Sequence, residues 1–146
     1  QQLERAGADA VVLFNRFFNP DVNLADEKIT AGKIFSVPEE NANCIRWIGL
    51  LEAHAEADLV ASHGIHDGET AIKNLIVGAK AVQIASVLYD KGLAYIEEMQ
   101  QDIRHWMHEK GYQSMHNLIG KLSQSRIKQP AIYERAQFMR YYSEHI

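Results

Sequence analysis

The stretch that decides the fold is Ala57-Asp58-Leu59-Val60-Ala61-Ser62-His63-Gly64-Ile65-His66-Asp67-Gly68-Glu69-Thr70-Ala71. A small residue and an acid lead into a short apolar run over 59–62, a length and composition suited to a parallel strand buried on both faces. A loop with two glycines follows, and then Asp67 stands where a carboxylate can cap the helix expected over 69–77, whose Ile72, Leu75 and Ile76 fall on one side. Strand, glycine loop and capped helix thus follow one another within about twenty residues, which is the grammar of an α/β unit.

Working outward, the same passage from a helix end into a short strand recurs at Gly7-Ala8-Asp9-Ala10-Val11-Val12 and at Gly78-Ala79-Lys80-Ala81-Val82. Strands are expected over 10–15 and 81–86, and further helices over 43–55 and 93–110. The latter sets Leu93, Ile96, Met99, Ile103, Trp106 and Met107 at spacings of three and four before Gly111 ends it. Tyr95, Met99, Trp106 and Met107 are read as packing residues on that spacing. Repeated strand and helix imply a parallel sheet with right-handed crossovers, leaving either a doubly wound sheet or a piece of a (β/α)8 barrel. A complete barrel needs eight strands and about 250 residues. On the barrel reading, the 146 residues here supply about three βα units and require another half.

Two segments break the rhythm. After the first strand comes a long excursion containing Lys28-Ile29-Thr30-Ala31-Gly32-Lys33-Ile34-Phe35, expected to form a small hairpin over the strand's carboxyl end, where such loops serve as lids or substrate walls. After Leu122 the chain turns polar, and Pro130-Ala131-Ile132-Tyr133 offers a helix start. The division expected is a barrel portion over 1–122 and a C-terminal helical extension over 123–146. Residues 1–7 read as the last turns of a helix closed by Gly7, an opening that suggests a piece of a longer protein.

Bulk properties remove several function classes. The chain is 47% hydrophobic and 23% charged, as an ordinary globular protein is. Its net charge of -4, with both signs interspersed, offers no basic stripe for nucleic acid and no polybasic patch for a membrane surface. No apolar run approaches the roughly 18 to 20 residues of a membrane span. The single cysteine, Cys44, allows no intrachain disulfide and fits a reducing compartment such as the cytoplasm. On its expected helix it reads as a buried, inert thiol. His63 with His66, and His105 with His108, are spaced like metal ligands, but neither pair has an evident third ligand and no metal is assigned.

In a barrel the site lies at the strands' carboxyl ends, and phosphate commonly binds between the loops after strands 7 and 8, held by backbone N–H groups and a helix N-terminus. The loops here are Ser62-His63-Gly64-Ile65-His66-Asp67-Gly68 and Ala85-Ser86. Gly64 allows close backbone approach and Ser86 adds a hydroxyl, although both glycines of the first loop could serve only a tight turn.

The segment from Ala61 to Ala71, followed by Gly78-Ala79 and by Val82-Gln83-Ile84-Ala85-Ser86-Val87-Leu88-Tyr89, is similar to the flavin-phosphate region of dihydroorotate dehydrogenases. The later Glu109-Lys110-Gly111-Tyr112-Gln113-Ser114, with Gly120-Lys121-Leu122, resembles the end of the class 1 enzymes. The resemblance implies an FMN-dependent (β/α)8-barrel oxidoreductase of pyrimidine biosynthesis, acting on dihydroorotate to give orotate, with this chain as its C-terminal portion. His63 and Gly64 then fall where the family has a tandem glycine, and Ala85 and Ser86 where it has Gly-Thr or Gly-Ser, so that these four would bind the FMN phosphate. Asn15 falls where an Asn hydrogen-bonds the pyrimidine, and Arg16, in place of a small hydroxyl residue, would pair with an orotate-like carboxylate or with a surface acid. The family's catalytic Cys or Ser lies earlier in the barrel, so no catalytic residue is assigned and the chain alone is expected to be inactive. Its expected partners are the missing N-terminal half and a second copy in a homodimer. The replaced glycines leave two rivals: a flavin-free barrel enzyme acting on a sugar phosphate, and a degenerate, non-catalytic barrel.

Overall fold

The computed structural model describes residues 2–15 and 19–134. Helix α1 (Gln2–Arg5) leads through Gly7, at φ +92°, into β1 (Ala10–Leu13). The excursion then forms an antiparallel pair, β2 (Pro20–Asn23) with β3 (Lys28–Ala31), exposed throughout. Its turn is closed locally, since Asn23 Oδ1 accepts from the N–H groups of Ala25 at 2.9 Å and Asp26 at 3.3 Å. A 3-10 turn (Pro38–Glu40) runs into α2 (Asn41–Leu51). Beyond it come β4 (Asp58–Ser62), α3 (Gly68–Val77), β5 (Ala81–Gln83), α4 (Ser86–Lys91), α5 (Tyr95–Glu109) and α6 (Met115–Leu118).

β1, β4 and β5 form one parallel sheet in the order β1-β4-β5, with Ala10 beside Asp58 and Val60 beside Ala81. This is the α/β architecture expected from the alternation. The elements end sooner than the apolar runs do. β5 stops at Gln83 because Ala85 leaves the extended region, at φ -141° and ψ -63°, and Ser86 opens α4 at once. β1 stops at Leu13, although Phe14 still donates its N–H to the Ser62 carbonyl at 3.3 Å.

The core lies between the sheet and helices α2, α3 and α5, built from Cys44, Ile48, Leu59, Ala61, Ile65, Ala71, Val77, Ala79 and Met99. Burying a side chain such as Ile48 completely stabilises the fold by about 1.5–3 kcal/mol. Strand pleating sends Leu59 and Ala61 into this core and Val60 to the opposite face. That second face is less covered than expected: Val60 is half-buried and Val12 is 49% exposed, so among the described residues the sheet is packed mainly on one side. Met99 is buried, with Tyr95 and Ile103 packed against the same core, as the spacing of α5 predicts.

α3 is capped as expected. Asp67 Oδ1 accepts from both the N–H and the hydroxyl of Thr70 at 2.7 Å. Burial works to raise the carboxyl's pKa, but these hydrogen bonds outweigh it and hold the group below its ordinary range. The described part of the tail runs over the outer face of α2: Gln124 donates its N–H to the Gly49 carbonyl at 2.9 Å, and Arg46 Nε donates to the Tyr133 carbonyl at 2.9 Å. Pro130–Tyr133 forms a 3-10 turn, and residues 135–146 of the expected extension lie outside the described residues. No helix among the described residues is long and apolar enough to cross a membrane.

Candidate functional site

Parallel strands bring all their carboxyl ends to one edge of the sheet. Two adjoining cavities open there, of about 200 Å³ and about 450 Å³. Phe14, Asn15, Ser62 and His63 line both, so the end of β4 and the residues after β1 stand between them. The smaller is completed by Ser36, Gly64, Ile65, Gln83, Ile84, Ala85 and Ser86. Five residues singled out from the sequence, Asn15, His63, Gly64, Ala85 and Ser86, therefore meet around one space. Arg16 lies outside the described residues.

Among the described residues no carboxylate lines the smaller cavity, whose polar groups are hydroxyls, amides and backbone. Such a lining suits an anion. The larger cavity adds Asn19, Glu40, Asn43, Cys44 and Trp47. Glu40 Oε2 accepts from the Val37 N–H at 2.9 Å and approaches His63 Nε2 at 3.4 Å.

The loop after β4 has an unusual backbone. His63 sits at φ +87° and Gly64 at φ +71°, the left-handed region that costs a residue with a Cβ about 1–2 kcal/mol. Gly64 meets that demand without strain, and it is also held too closely for any side chain, because a Cβ there would come within 2.6 Å of the Asn41 backbone N. His63 keeps the conformation despite its Cβ. Its carbonyl accepts from Asn41 Nδ2 at 2.9 Å, and Asn41 Oδ1 in turn accepts from Asn74 Nδ2, also at 2.9 Å. Both amides are buried. The first residue of α2 thus ties the loop to α3.

On the other side of the cavity, Ser86 Oγ accepts from the N–H and from the hydroxyl of Ser36, each at 3.1 Å, while Ser36 Oγ lies 2.9 Å from His66 Nε2. Ser36 belongs to the loop between β3 and α2, and its neighbour Phe35 stacks on Tyr89 of α4 with ring centroids 5.5 Å apart. Sequence reasoning missed Ser36, Glu40 and Asn41 as site neighbours. Each lies more than twenty residues from its partner across the loop, and no local pattern marks such a pairing.

Cys44 is buried and donates its Sγ–H to the Leu13 carbonyl at 3.0 Å. Burial pushes the thiol up to about 11, so at neutral pH it stays protonated and unreactive. Of the paired histidines, His63 and His66 turn to Glu40 and Ser36 respectively, and His105 lies against Glu109 at 3.3 Å. Among the described residues no group of three or more His, Cys, Asp or Glu could hold a metal ion.

The class defined so far is an α/β protein with a parallel sheet whose strand ends carry a polar cavity lined, among the described residues, by no acid. Known proteins narrow it. The chain is 28% identical over 120 residues to the catalytic subunit of dihydroorotate dehydrogenase B (NAD(+)) from Pyrococcus furiosus, a match covering 80% of this chain and 40% of that protein. It is 33% identical over 67 residues to dihydroorotate dehydrogenase A (fumarate) of Lactococcus lactis subsp. cremoris, covering 46% of this chain and 22% of that one. In fold it is similar to the crystal structure of DHODH from Eimeria tenella in complex with ferulenol, with a TM-score of 0.63 and 18% identity over 80% of this chain and 32% of that chain. No protein-family model matches the chain. Over four fifths of its length the chain is thus similar to dihydroorotate dehydrogenases in sequence and to a solved structure of one in fold. It spans about 40% of the length of the curated relatives that it matches most broadly.

Proposed function

We propose that this chain is the C-terminal portion of a dihydroorotate dehydrogenase-like (β/α)8 barrel, with residues 1–122 as barrel and 123–146 as an extension, and that the whole protein oxidises dihydroorotate to orotate with FMN. The observation that carries the reading is the meeting of Asn15, His63, Gly64, Ala85 and Ser86 around one cavity of about 200 Å³ with no acidic side chain among the described residues that line it. The donor set fits a phosphate in kind: the Ser86 hydroxyl and the backbone at Gly64 and Ala85 can face acceptor oxygens, and no carboxylate repels them. His63 contributes its backbone there, while its imidazole turns toward Glu40.

When bound, FMN would supply the acceptor for hydride, which protein side chains cannot provide. This chain's share is to hold and orient. Asn15 stands where the two cavities join, and its amide can donate and accept at once, which suits the lactam edge of a pyrimidine. Arg16 is proposed to take the substrate carboxylate. The partly covered sheet face, with Val12 49% exposed, supports a barrel interior completed by further strands.

A second reading has its own support. His63 carries a Cβ at φ +87°, where the resembling enzymes have glycine, and this would suit a barrel that has given up flavin. The deciding experiment is the visible spectrum of the intact natural protein, with identification of any chromophore released on heating. Released FMN, bleached anaerobically by dihydroorotate, is the expected result. A colourless protein that also refuses added FMN would overturn the proposal and leave the flavin-free barrel.

A further inference from the structure

The contacts of Ser36 have a direction, and that direction bears on what the smaller cavity can hold. A hydroxyl oxygen has two lone pairs and one proton. Ser86 Oγ accepts from the Ser36 N–H and from the Ser36 O–H, each at 3.1 Å, so both lone pairs are engaged on the Ser36 side. Its proton is left for another acceptor, and Ser86 lines the cavity. Ser36 Oγ, with its own proton directed to Ser86, accepts from His66 Nε2 at 2.9 Å in the tautomer that carries its hydrogen there. The chain of donors runs from His66 through Ser36 to Ser86 and ends at the cavity.

Ser36 is held in this position from both sides. Phe35 stacks on Tyr89 at 5.5 Å, and the Val37 N–H donates to Glu40 Oε2 at 2.9 Å. The Ser36 side chain is buried and lines the same cavity. A pre-organised donor loses little freedom when a ligand arrives, and successive hydrogen bonds polarise one another.

We propose that His66 and Ser36 are positioning residues for an anion site, forming a one-way relay that makes Ser86 a donor only and so selects an acceptor-only group, a phosphate monoester, at this end of the cavity. The inference rests on the proposed FMN-phosphate reading of the same cavity and adds to it two residues, one from the loop after the hairpin and one from the loop after β4. Neither needs to touch the ligand. They act by fixing the direction in which the Ser86 proton points.

The test compares FMN with riboflavin, which lacks the phosphate, by titrating the intact natural protein, stripped of flavin, and following flavin fluorescence. The wild-type protein should bind FMN far more tightly. Ser36→Ala should weaken FMN binding about tenfold and leave riboflavin within about twofold, the scale of one charge-assisted hydrogen bond lost or misdirected. His66→Leu should act in the same direction, whereas His66→Gln, whose side-chain N–H can still donate to Ser36, should recover most of the loss. This rescue separates a directional role from simple packing. An unchanged FMN-to-riboflavin ratio in both Ser36→Ala and His66→Leu would overturn the relay while leaving the phosphate reading intact. Equal affinity of the wild-type protein for both flavins would overturn the phosphate reading and the relay with it.

Discussion

The side-chain amide of Asn41 donates to the main-chain carbonyl of His63 at 2.9 Å, and so the first residue of α2 holds the loop after β4 in its left-handed turn. The contact is one link of a buried ladder, because Asn41 Oδ1 accepts from Asn74 Nδ2, which also donates to the Thr70 carbonyl at 2.8 Å. An apolar residue at 41 would take its side-chain donor from the half-buried His63 carbonyl and one partner from the buried Asn74 amide.

Asn41→Ala is therefore expected to destabilise the natural protein by about 2–3 kcal/mol, the usual scale for losing one partner of buried polar groups. Chemical denaturation measures it. A loss under about 0.5 kcal/mol would mean that the loop keeps its turn without this anchor.

His63→Gly removes the Cβ from a residue at φ +87°. Relief of about 1–2 kcal/mol of strain is partly offset by the greater freedom of glycine in the unfolded chain, leaving stability equal or higher by up to about 1 kcal/mol. His63→Ala keeps the strain and loses the imidazole near Glu40, so it should be the less stable of the two. On the proposed function the glycine variant should also bind FMN more tightly. An alanine variant more stable than the glycine variant would contradict the strain argument.

Gly64 and Gly111 share nearly the same φ, +71° and +72°, but differ in surroundings. A Cβ on Gly64 would lie 2.6 Å from the Asn41 backbone N, while one on Gly111 meets nothing within 4 Å. Gly111→Ala should cost about 1 kcal/mol from backbone conformation alone, and Gly64→Ala about 3 kcal/mol or more, because backbone must move. Thermal denaturation of the two variants side by side checks the contrast, and equal losses would refute it.

The buried Cys44 thiol is raised from 9.0 to about 11. Between those values the unfolded chain gives up a proton that the native state keeps, so native stability falls as pH rises from about 9 to about 11, and this contribution is complete below that window. The thiol's part of the slope should be absent from Cys44→Ser, whose hydroxyl does not titrate there, while that of Tyr133, also raised by burial, remains in both. Urea denaturation of both proteins across this range tests it, and parallel pH profiles would show that the thiol is not shielded. At neutral pH, thiol reagents should modify Cys44 only on unfolding.

What could be read from the chain was what neighbours decide. Asp67 and Thr70 stand three residues apart, the reach of a cap, and the cap forms. The apolar spacing of α5 predicted a buried Met99, and the break in rhythm after β1 marked the β2–β3 pair. Element ends were less legible, as at β5, where Ala85 and Ser86 continue the apolar pattern but turn into α4. Burial of the sheet on both faces was expected from composition, yet Val12 remains 49% exposed, since composition states what a strand tolerates and not what this chain has to cover it.

By itself the sequence determined the strand and helix alternation and the buried Cys44, and it set the residues that follow the three strands, Asn15, His63, Gly64, Ala85 and Ser86 among them, toward one edge, because parallel strands deliver their carboxyl ends to one edge whatever the remaining details. Only the tertiary structure decided how that edge is wired. Ser36 meets Ser86 across 50 residues and His66 across 30, and Asn41 meets His63 across 22. Such contacts depend on several segments being in place together, and a hydrogen bond also depends on angle and on which atom holds the proton. A strand or a cap is settled by a few adjacent torsions, whereas the direction of a donor chain is settled by the whole fold around it.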